Sequence, residues 1–375
     1  MKKKLVLAGV AIVVMLGALF AYRYYYLLTR NVVESLIARK RMIGILVAGS
    51  NTFNNNRHRF CGVISVNPEN GMVGFTFLPP DLKVDMNGRG TSFRKLREID
   101  ISDFDDIRDS LQRDLKLNVS FFIELYAVDI ERFIDLIHGI DMFVLDQLPP
   151  GDGYGFGLNY FDGKKILRYI NDVPTKSIFK KYDRVQDVVL SLHGNREAYR
   201  RLLNPEFVSE MLKSFKTNIM PQEIYSLGKL LMDNSEIRCT MLPGEFDDGG
   251  NYVMDNISYK IYEKEFLTPL VVEEENLGSI KVKLLNGTDI PGLARKMRNM
   301  LIREGLTVVE FGTSPYPRLD HSILINQRGN LSNARKVSEI TGIKKIYHVI
   351  DNTQLHDVLI ILGRDSTKGE EAGDN

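Results

Sequence analysis

The chain has 375 residues, room for more than one domain, and its 44% hydrophobic and 26% charged content predicts packed cores rather than disorder. A formal net charge of +1 provides no global field for a polyanion, which excludes a general nucleic-acid reader. Two cysteines, Cys61 and Cys239, are too few for a disulfide scaffold, and no Cys or His cluster has zinc-ligand spacing.

Lys2, Lys3 and Lys4 precede "LVLAGVAIVVMLGALFAY", which carries no charge before Arg23. A spanning helix needs about 20 apolar residues, and Tyr22, Tyr24, Tyr25 and Tyr26 suit the headgroup depth of a membrane interface. Residues 1–27 therefore read as an N-terminal transmembrane anchor, with the lysines on the cytoplasmic side and the rest of the chain outside. A cleaved signal peptide is the alternative, but no small-x-small site precedes a polar segment.

"VVESLIARKRM" reads as a short helix and "IGILVAG" as a buried strand. "GVISVNPENGMVGFTFLP" carries a hairpin signal, two strand runs around a turn ending in Asn70-Gly71. "DISDFDDIRDSLQRDL" opens on acidic residues that suit a helix N-terminus. "NVSFFIELYAV" is a strand, "DIERFIDLIHGI" a helix capped by Asp129 and stopped near Gly139, and "DMFVLDQL" a strand. The Gly-rich "LPPGDGYGFGLNYFDG" lacks a following Walker lysine and reads as a surface loop, and the basic run "RGTSFRKLR" reads as a solvated loop and helix start. "PQEIYSLGKLLMD" and "SEIRCTMLPGEF" supply a last helix and strand before a long irregular stretch.

The alternation predicts an α/β domain over residues 28–265, a layered sheet covered by helices. Glu273, Glu274 and Glu275 mark residues 266–279 as a linker. Residues 280–364 follow a β-α-β-β-α-β order, which suggests a small α+β domain of the split βαβ type. Residues 365–375 are polar and read as a disordered tail. Both cysteines lie in apolar strand runs, "FCGVISV" and "IRCTML", so two buried thiols are favoured over one disulfide.

Residues from about 43 to 258 resemble the LytR-CpsA-Psr family of cell-envelope proteins. "ILVAGSN" stands where the family has L-L-G-x-D, "RHRFCGVISVNP" where it has R-S-D-T and an apolar strand, and "LPPDLKV" where it has I-P-R-D-x-x-V. "YFDGKKILRYIND" is similar to L-D-G-x-x-A-L-x-Y-x-R and "KYDRVQDVVLSL" to R-x-x-R-Q-x-x-x-L. "IKVKLLNGTDIPGLARKMRNMLIREGLTVV" resembles the LytR_C-type domain often fused behind that module. The resemblance implies membrane-anchored, outward-facing phosphotransferases that move a glycopolymer from a polyprenyl pyrophosphate carrier to peptidoglycan. Aspartates there hold magnesium and arginines clamp the pyrophosphate. The chemistry is coherent: arginine forks match phosphate oxygens, and magnesium asks for one or two carboxylates beside the phosphates.

Several of those positions depart from the pattern. The strand-end aspartate is Asn51, and the aspartate of R-S-D-T is Arg59, a reversal of charge. The arginine of P-R-D is Pro80, although Asp81 remains. The arginine closing the Y-x-R motif is Asn171, the first arginine of R-x-x-R-Q is Lys181, and Arg184 and Arg57 persist, with Gln186 one position late. Two metal carboxylates and two clamping arginines are thus replaced. The expectation is a degenerate site with no catalytic residue, metal or cofactor, in which Arg57, Arg59, Lys181, Arg184 and Gln186 are anion-binding candidates. The role would be binding or scaffolding in glycan or peptidoglycan assembly at the cytoplasmic (inner) membrane, single-pass, with the bulk of the chain extracytoplasmic or periplasmic. The partners would be the membrane, a polyprenyl-phosphate lipid, peptidoglycan or another envelope protein. The alternative is a working magnesium-dependent glycopolymer transferase.

Overall fold

The computed structural model describes residues 31–50, 60–145, 153–171, 177–213, 215–234, 236–272 and 276–367. The expected anchor at residues 1–27 and the tail beyond residue 367 lie outside them. Among the described residues no helix is long and apolar enough to cross a membrane.

The first unit carries strands β1 (Ile43–Ser50), β2 (Phe60–Val66), β3 (Met72–Leu78), β4 (Lys83–Asp85), β5 (Phe93–Lys95), β6 (Phe121–Tyr126), β7 (Ile140–Val144), β8 (Gly157–Phe161), β9 (Lys216–Thr217), β10 (Glu236–Met241), β11 (Glu245–Phe246) and β12 (Tyr252–Val253). Its helices are α1 (Val32–Ala38), α2 (Phe104–Leu115), α3 (Ala127–Leu136), α4 (Gly163–Asn171), α5 (Ile178–Gly194), α6 (Arg196–Tyr199), α7 (Pro205–Leu212), α8 (Pro221–Asn234) and α9 (Asn256–Tyr262). α9 runs through a π-helical turn, Glu263–Leu267, into α10 (Thr268–Val271).

The main sheet has the order β10-β3-β2-β1-β6-β9. Strand alternation divides its side chains between two cores. Leu46, Ala48, Cys61, Val63, Met72 and Leu78 face α2, α9 and α10. Ile43, Ile45, Val47, Val73, Phe75 and Phe77 face α1, α5 and α8. Both cysteines are free and buried. β3 lies between their strands, where Cys61 opposes Leu78 and Cys239 opposes Phe75, so their backbones stand more than about 10 Å apart, beyond disulfide reach. Burial pushes the Cys61 thiol up to about 12.

Three local expectations change. The end of the Gly-rich stretch forms β8 rather than loop: Phe161 is fully buried against Ile140, and the Asn159 side chain holds Gly155 and Gly157. Asp129 lies inside the first turn of α3 and caps it by reaching back to accept the Tyr126 N–H at 3.1 Å. Residues 266–271, expected as linker, are helical and packed into the first core. Phe266 and Leu270 press on Gly74, where a Cβ would meet Leu270 at 2.6 Å, and the Leu270 carbonyl accepts from Asn67 at 2.9 Å. Glu273, Glu274 and Glu275 lie outside the described residues.

The C-terminal unit carries β13 (Lys281–Asn286), α11 (Leu293–Arg303), β14 (Thr307–Thr313), β15 (Ile323–Asn326), α12 (Leu331–Thr341), β16 (Ile346–His348) and β17 (Val358–Leu362), with sheet order β14-β13-β17-β15-β16. The elements match the expected succession, but the topology is not a split βαβ. β13–β14 and β15–β16 are adjacent parallel pairs, because each crossover helix returns the chain directly beside the strand it left. β17 enters between the two pairs, parallel to β13 and antiparallel to β15.

Its sheet is covered on one face by α11 and α12, around Val282, Leu284, Leu324, Val358, Ile360 and Leu362. The other face, with Leu285, Ile323, Ile325, Leu359 and Ile361, packs on Phe143 and Leu145 of the first unit. The edge of the main sheet is covered as well: Cys239 N–H donates to the Gly329 carbonyl at 2.9 Å, Arg238 bridges Asn330, and Arg335 pairs with Glu236. Leu331 and Ile350 complete the second core of the first unit. The two units are therefore joined through shared apolar packing rather than tethered.

Candidate functional site

The strand register gathers the end of β1, the start of β2 and the end of β3: Gly49 opposes Phe60, and Cys61 opposes Leu78. Asn51, Arg57 and Arg59 belong to the β1–β2 connection at this sheet end and lie outside the described residues. The buried Tyr182 of α5 donates its hydroxyl to the Leu78 carbonyl at 2.8 Å, which draws the first turns of that helix to the same end. Pro80 and Asp81 follow β3 there. The Pro80 carbonyl accepts the Arg97 N–H at 2.9 Å, and one Asp81 oxygen is 3.1 Å from Lys95 Nζ and 3.0 Å from Arg97 Nη2. Lys95 and Arg97, at the end of the basic run 89–97, thus serve Asp81, while Arg89 and Arg94 are exposed.

Lys181 and Arg184 both reach α4. Lys181 Nζ donates to Asn171 Oδ1 at 2.8 Å. Arg184 is 8% exposed, donates to the Tyr169 carbonyl at 3.1 Å and lies 4.3 Å over the Tyr169 ring. Gln186 is fully buried beside Gly329, and neither of its amide atoms has a hydrogen-bond partner among the described residues. Of the five anion candidates, Lys181 and Arg184 are brought together, Gln186 faces the C-terminal unit, and Arg57 and Arg59 lie outside the described residues.

A second polar stripe on α5 escaped the sequence reading. Lys180, Asp183 and Asp187 recur at helical spacing and meet the C-terminal loop after β16. Lys180 pairs with Asp351 at 2.6 Å, Asp183 accepts from Asn352 Nδ2 at 2.7 Å, and Asp187 accepts from the Ile350 N–H and the Tyr169 hydroxyl, each at 2.6 Å. Burial raises Asp183 to about 6, against the opposing pull of Asn352 and Lys180. Burial also raises the fully enclosed Asp187 well above the carboxylate range, although Tyr169 and Ile350 donate to it. For Asp351 burial pulls upward too, but donors from Lys180, Thr353 and Gln354 hold it below the usual range. The signal was present as "KKYDRVQD", but charges on a helix look the same whether the face is solvated or docked.

The described carboxylates nearest this sheet end are engaged elsewhere. Asp81 is committed to two cations, Asp162 accepts the Lys165 N–H at 2.8 Å as a helix cap, and Asp183 faces the other unit. Among the described residues no group of three His, Cys, Asp or Glu side chains is placed to hold an ion. Asn51 and Arg59, expected where the family has carboxylates, lie outside the described residues.

Residues 279–365 match the family model described as LytR cell envelope-related transcriptional attenuator, LytR_C. The C-terminal unit is a LytR_C domain. Solved structures are similar over a larger share of the chain. B. subtilis TagV is similar at 17% identity with a TM-score of 0.50, over 63% of this chain and 99% of that one. TagT bound to LIIa-WTA is similar at 15% identity and a TM-score of 0.51, over 62% and 91%. Protein gbs0355 from Streptococcus agalactiae is similar at 16% identity and a TM-score of 0.50, over 64% and 91%. TagV and TagT are LytR-CpsA-Psr proteins, so the unit ahead of the LytR_C domain has the expected fold. No curated protein sequence matches the chain.

Proposed function

We propose that this chain is a membrane-anchored, extracytoplasmic LytR-CpsA-Psr protein whose transferase site has become a binding site. In this reading residues 1–27 hold it in the cytoplasmic membrane. The sheet end takes the anionic head of a polyprenyl phosphate, and the protein scaffolds glycan or peptidoglycan assembly. The observation that carries the reading is Asp81. It is the one metal-site carboxylate the sequence retains, and Lys95 and Arg97 already neutralise it at 3.1 and 3.0 Å. Both cations sit on one Asp81 oxygen, so a divalent ion at the other would stand beside two positive charges and have Asn51 and Arg59 as neighbours, a set without the charge magnesium needs. An anionic headgroup needs no such exchange, because Arg57, Arg59 and Lys181 bring charge that suits phosphate oxygens. The solved form of TagT carries LIIa-WTA, which motivates the choice of lipid-linked phosphate as the ligand class.

The test uses the full chain in detergent with a short-chain polyprenyl phosphate, followed by titration calorimetry. Binding should be independent of magnesium, weaken with salt, and fall at least tenfold in Arg59→Ala and further in Arg59→Asp. Magnesium-dependent release of phosphate from the corresponding pyrophosphate, abolished by Asp81→Ala, would overturn the reading in favour of a working transferase.

A further inference from the structure

The two units enclose a cleft of about 570 Å³ between α5 and the sheet of the LytR_C domain, a volume in the range of small-molecule sites. One wall is apolar and aromatic. Tyr316 stacks on Phe156 with ring centres 5.3 Å apart, and Leu145, Leu285 and Leu359 extend that surface. The opposite wall is densely polar but close to neutral. On α5 and the loop after β16, Lys180 and Arg184 stand against Asp183, Asp187 and Asp351, while Lys283 and Glu310 pair on the sheet side beside Leu285 and Leu359. These charges already serve one another or a ring: Lys180 holds Asp351 at 2.6 Å, Lys283 holds Glu310 at 2.9 Å, and Arg184 lies over Tyr169. Gln354 donates to Asp351 at 2.9 Å, and the buried imidazole of His356 lies 2.5 Å from Gln327 Oε1.

This arrangement discriminates among ligand classes. An anion would meet the carboxylates of Asp183, Glu310 and Asp351 and cations that are already engaged. A cation would meet the reverse. A purely apolar molecule would strip water from ion pairs and amides without replacing its hydrogen bonds, at a cost for each group left unmet. An uncharged molecule with an apolar face and a rim of hydroxyls satisfies both walls. Its C–H face lies on the tyrosine ring, and its hydroxyls donate to the spare lone pairs of the paired carboxylates and to amide oxygens. A pyranose has that two-faced character. We propose that the cleft between the two units binds a short uncharged oligosaccharide. The site is separate from the sheet end assigned to a lipid phosphate, and the inference does not rest on that assignment.

Thr313 lines the cleft and is exposed, so Thr313→Lys introduces a long cation at the opening without disturbing a core. The experiment titrates the full chain, in a detergent lacking a sugar headgroup, with chitotetraose, cellotetraose, maltotetraose and mannotetraose, and with glucose 6-phosphate for comparison. At least one neutral oligosaccharide should bind. Thr313→Lys should weaken that binding at least tenfold and Gln354→Ala about fivefold. Ile257→Lys, at a 73% exposed position outside the cleft, should bind as the unaltered chain does. Polyprenyl-phosphate binding should survive Thr313→Lys, which keeps the two proposals separable. Absence of binding by all four oligosaccharides, tighter binding of glucose 6-phosphate, or indifference to both cleft variants while the fold persists would overturn the proposal.

Discussion

Asp183→Asn should stabilise the protein at neutral pH, against the intuition that removing half of an ion pair weakens it. The Asp183 side chain is 5% exposed, with Lys180 at 3.6 Å and Asn352 Nδ2 at 2.7 Å. The groups facing it are Lys180, Asp351 and the Asn352 amide, with Asp187 and Arg184 on the same helix. Burial outweighs the two favourable partners and raises its pKa from 3.8 to about 6. The folded-state pKa lies above the unfolded one. The contribution of this group is therefore complete below about pH 4 and is lost as pH rises through about 6. A difference of about two units is roughly 3 kcal/mol. Asparagine keeps the shape and an oxygen acceptor for Asn352 but holds no charge. In urea unfolding of the full chain, the variant should exceed the unaltered protein by about 3 kcal/mol at pH 7.5, and the advantage should vanish near pH 4. Comparing the two proteins at each pH cancels the titration of groups they share. A variant less stable at pH 7.5 would show that the Lys180 pairing outweighs burial and would refute the reasoning.

Gly329→Ala should loosen the seam between the units, because Gly329 has φ 73° and an added Cβ would stand 2.4 Å from the Cys239 carbonyl oxygen. The left-handed backbone costs about 1–2 kcal/mol and the lost Cys239–Gly329 hydrogen bond about 1 more, read as a lower urea midpoint and faster exchange of the Cys239 amide. Topology is testable at Leu355, which is 82% exposed on the LytR_C domain. In cells, Leu355→Cys should react with an impermeant thiol reagent without lysis, while Cys61 and Cys239, both buried, stay silent. Labelling only after lysis would contradict the outward orientation.

Much of the architecture was legible because strand burial and helix amphipathicity leave periodic marks. "IGILVAG", the Asn-Gly hairpin and the apolar stripe of "LARKMRNMLIR" correspond to β1, β2–β3 and α11 with little adjustment. The order of β-α-β elements likewise separated the two units, since each buries its own helices. The expectation that Asn51, Arg59, Pro80 and Asn171 replace family residues rests on the sequence alone. What tertiary structure decided is where long-range partners stand. No local pattern distinguishes a carboxylate facing water from Asp187, buried against Ile350 from 163 residues away. The "VLIIL" of β17 is buried at every position, the composition of a strand covered on both faces. It did not say that the second cover is Phe143 and Leu145 of the other unit. Periodicity records that a face is buried, because burial selects apolar side chains position by position. It carries no information about which surface does the burying, and so the seam, the occupied Asp81 and the cleft emerge only when the chain is folded.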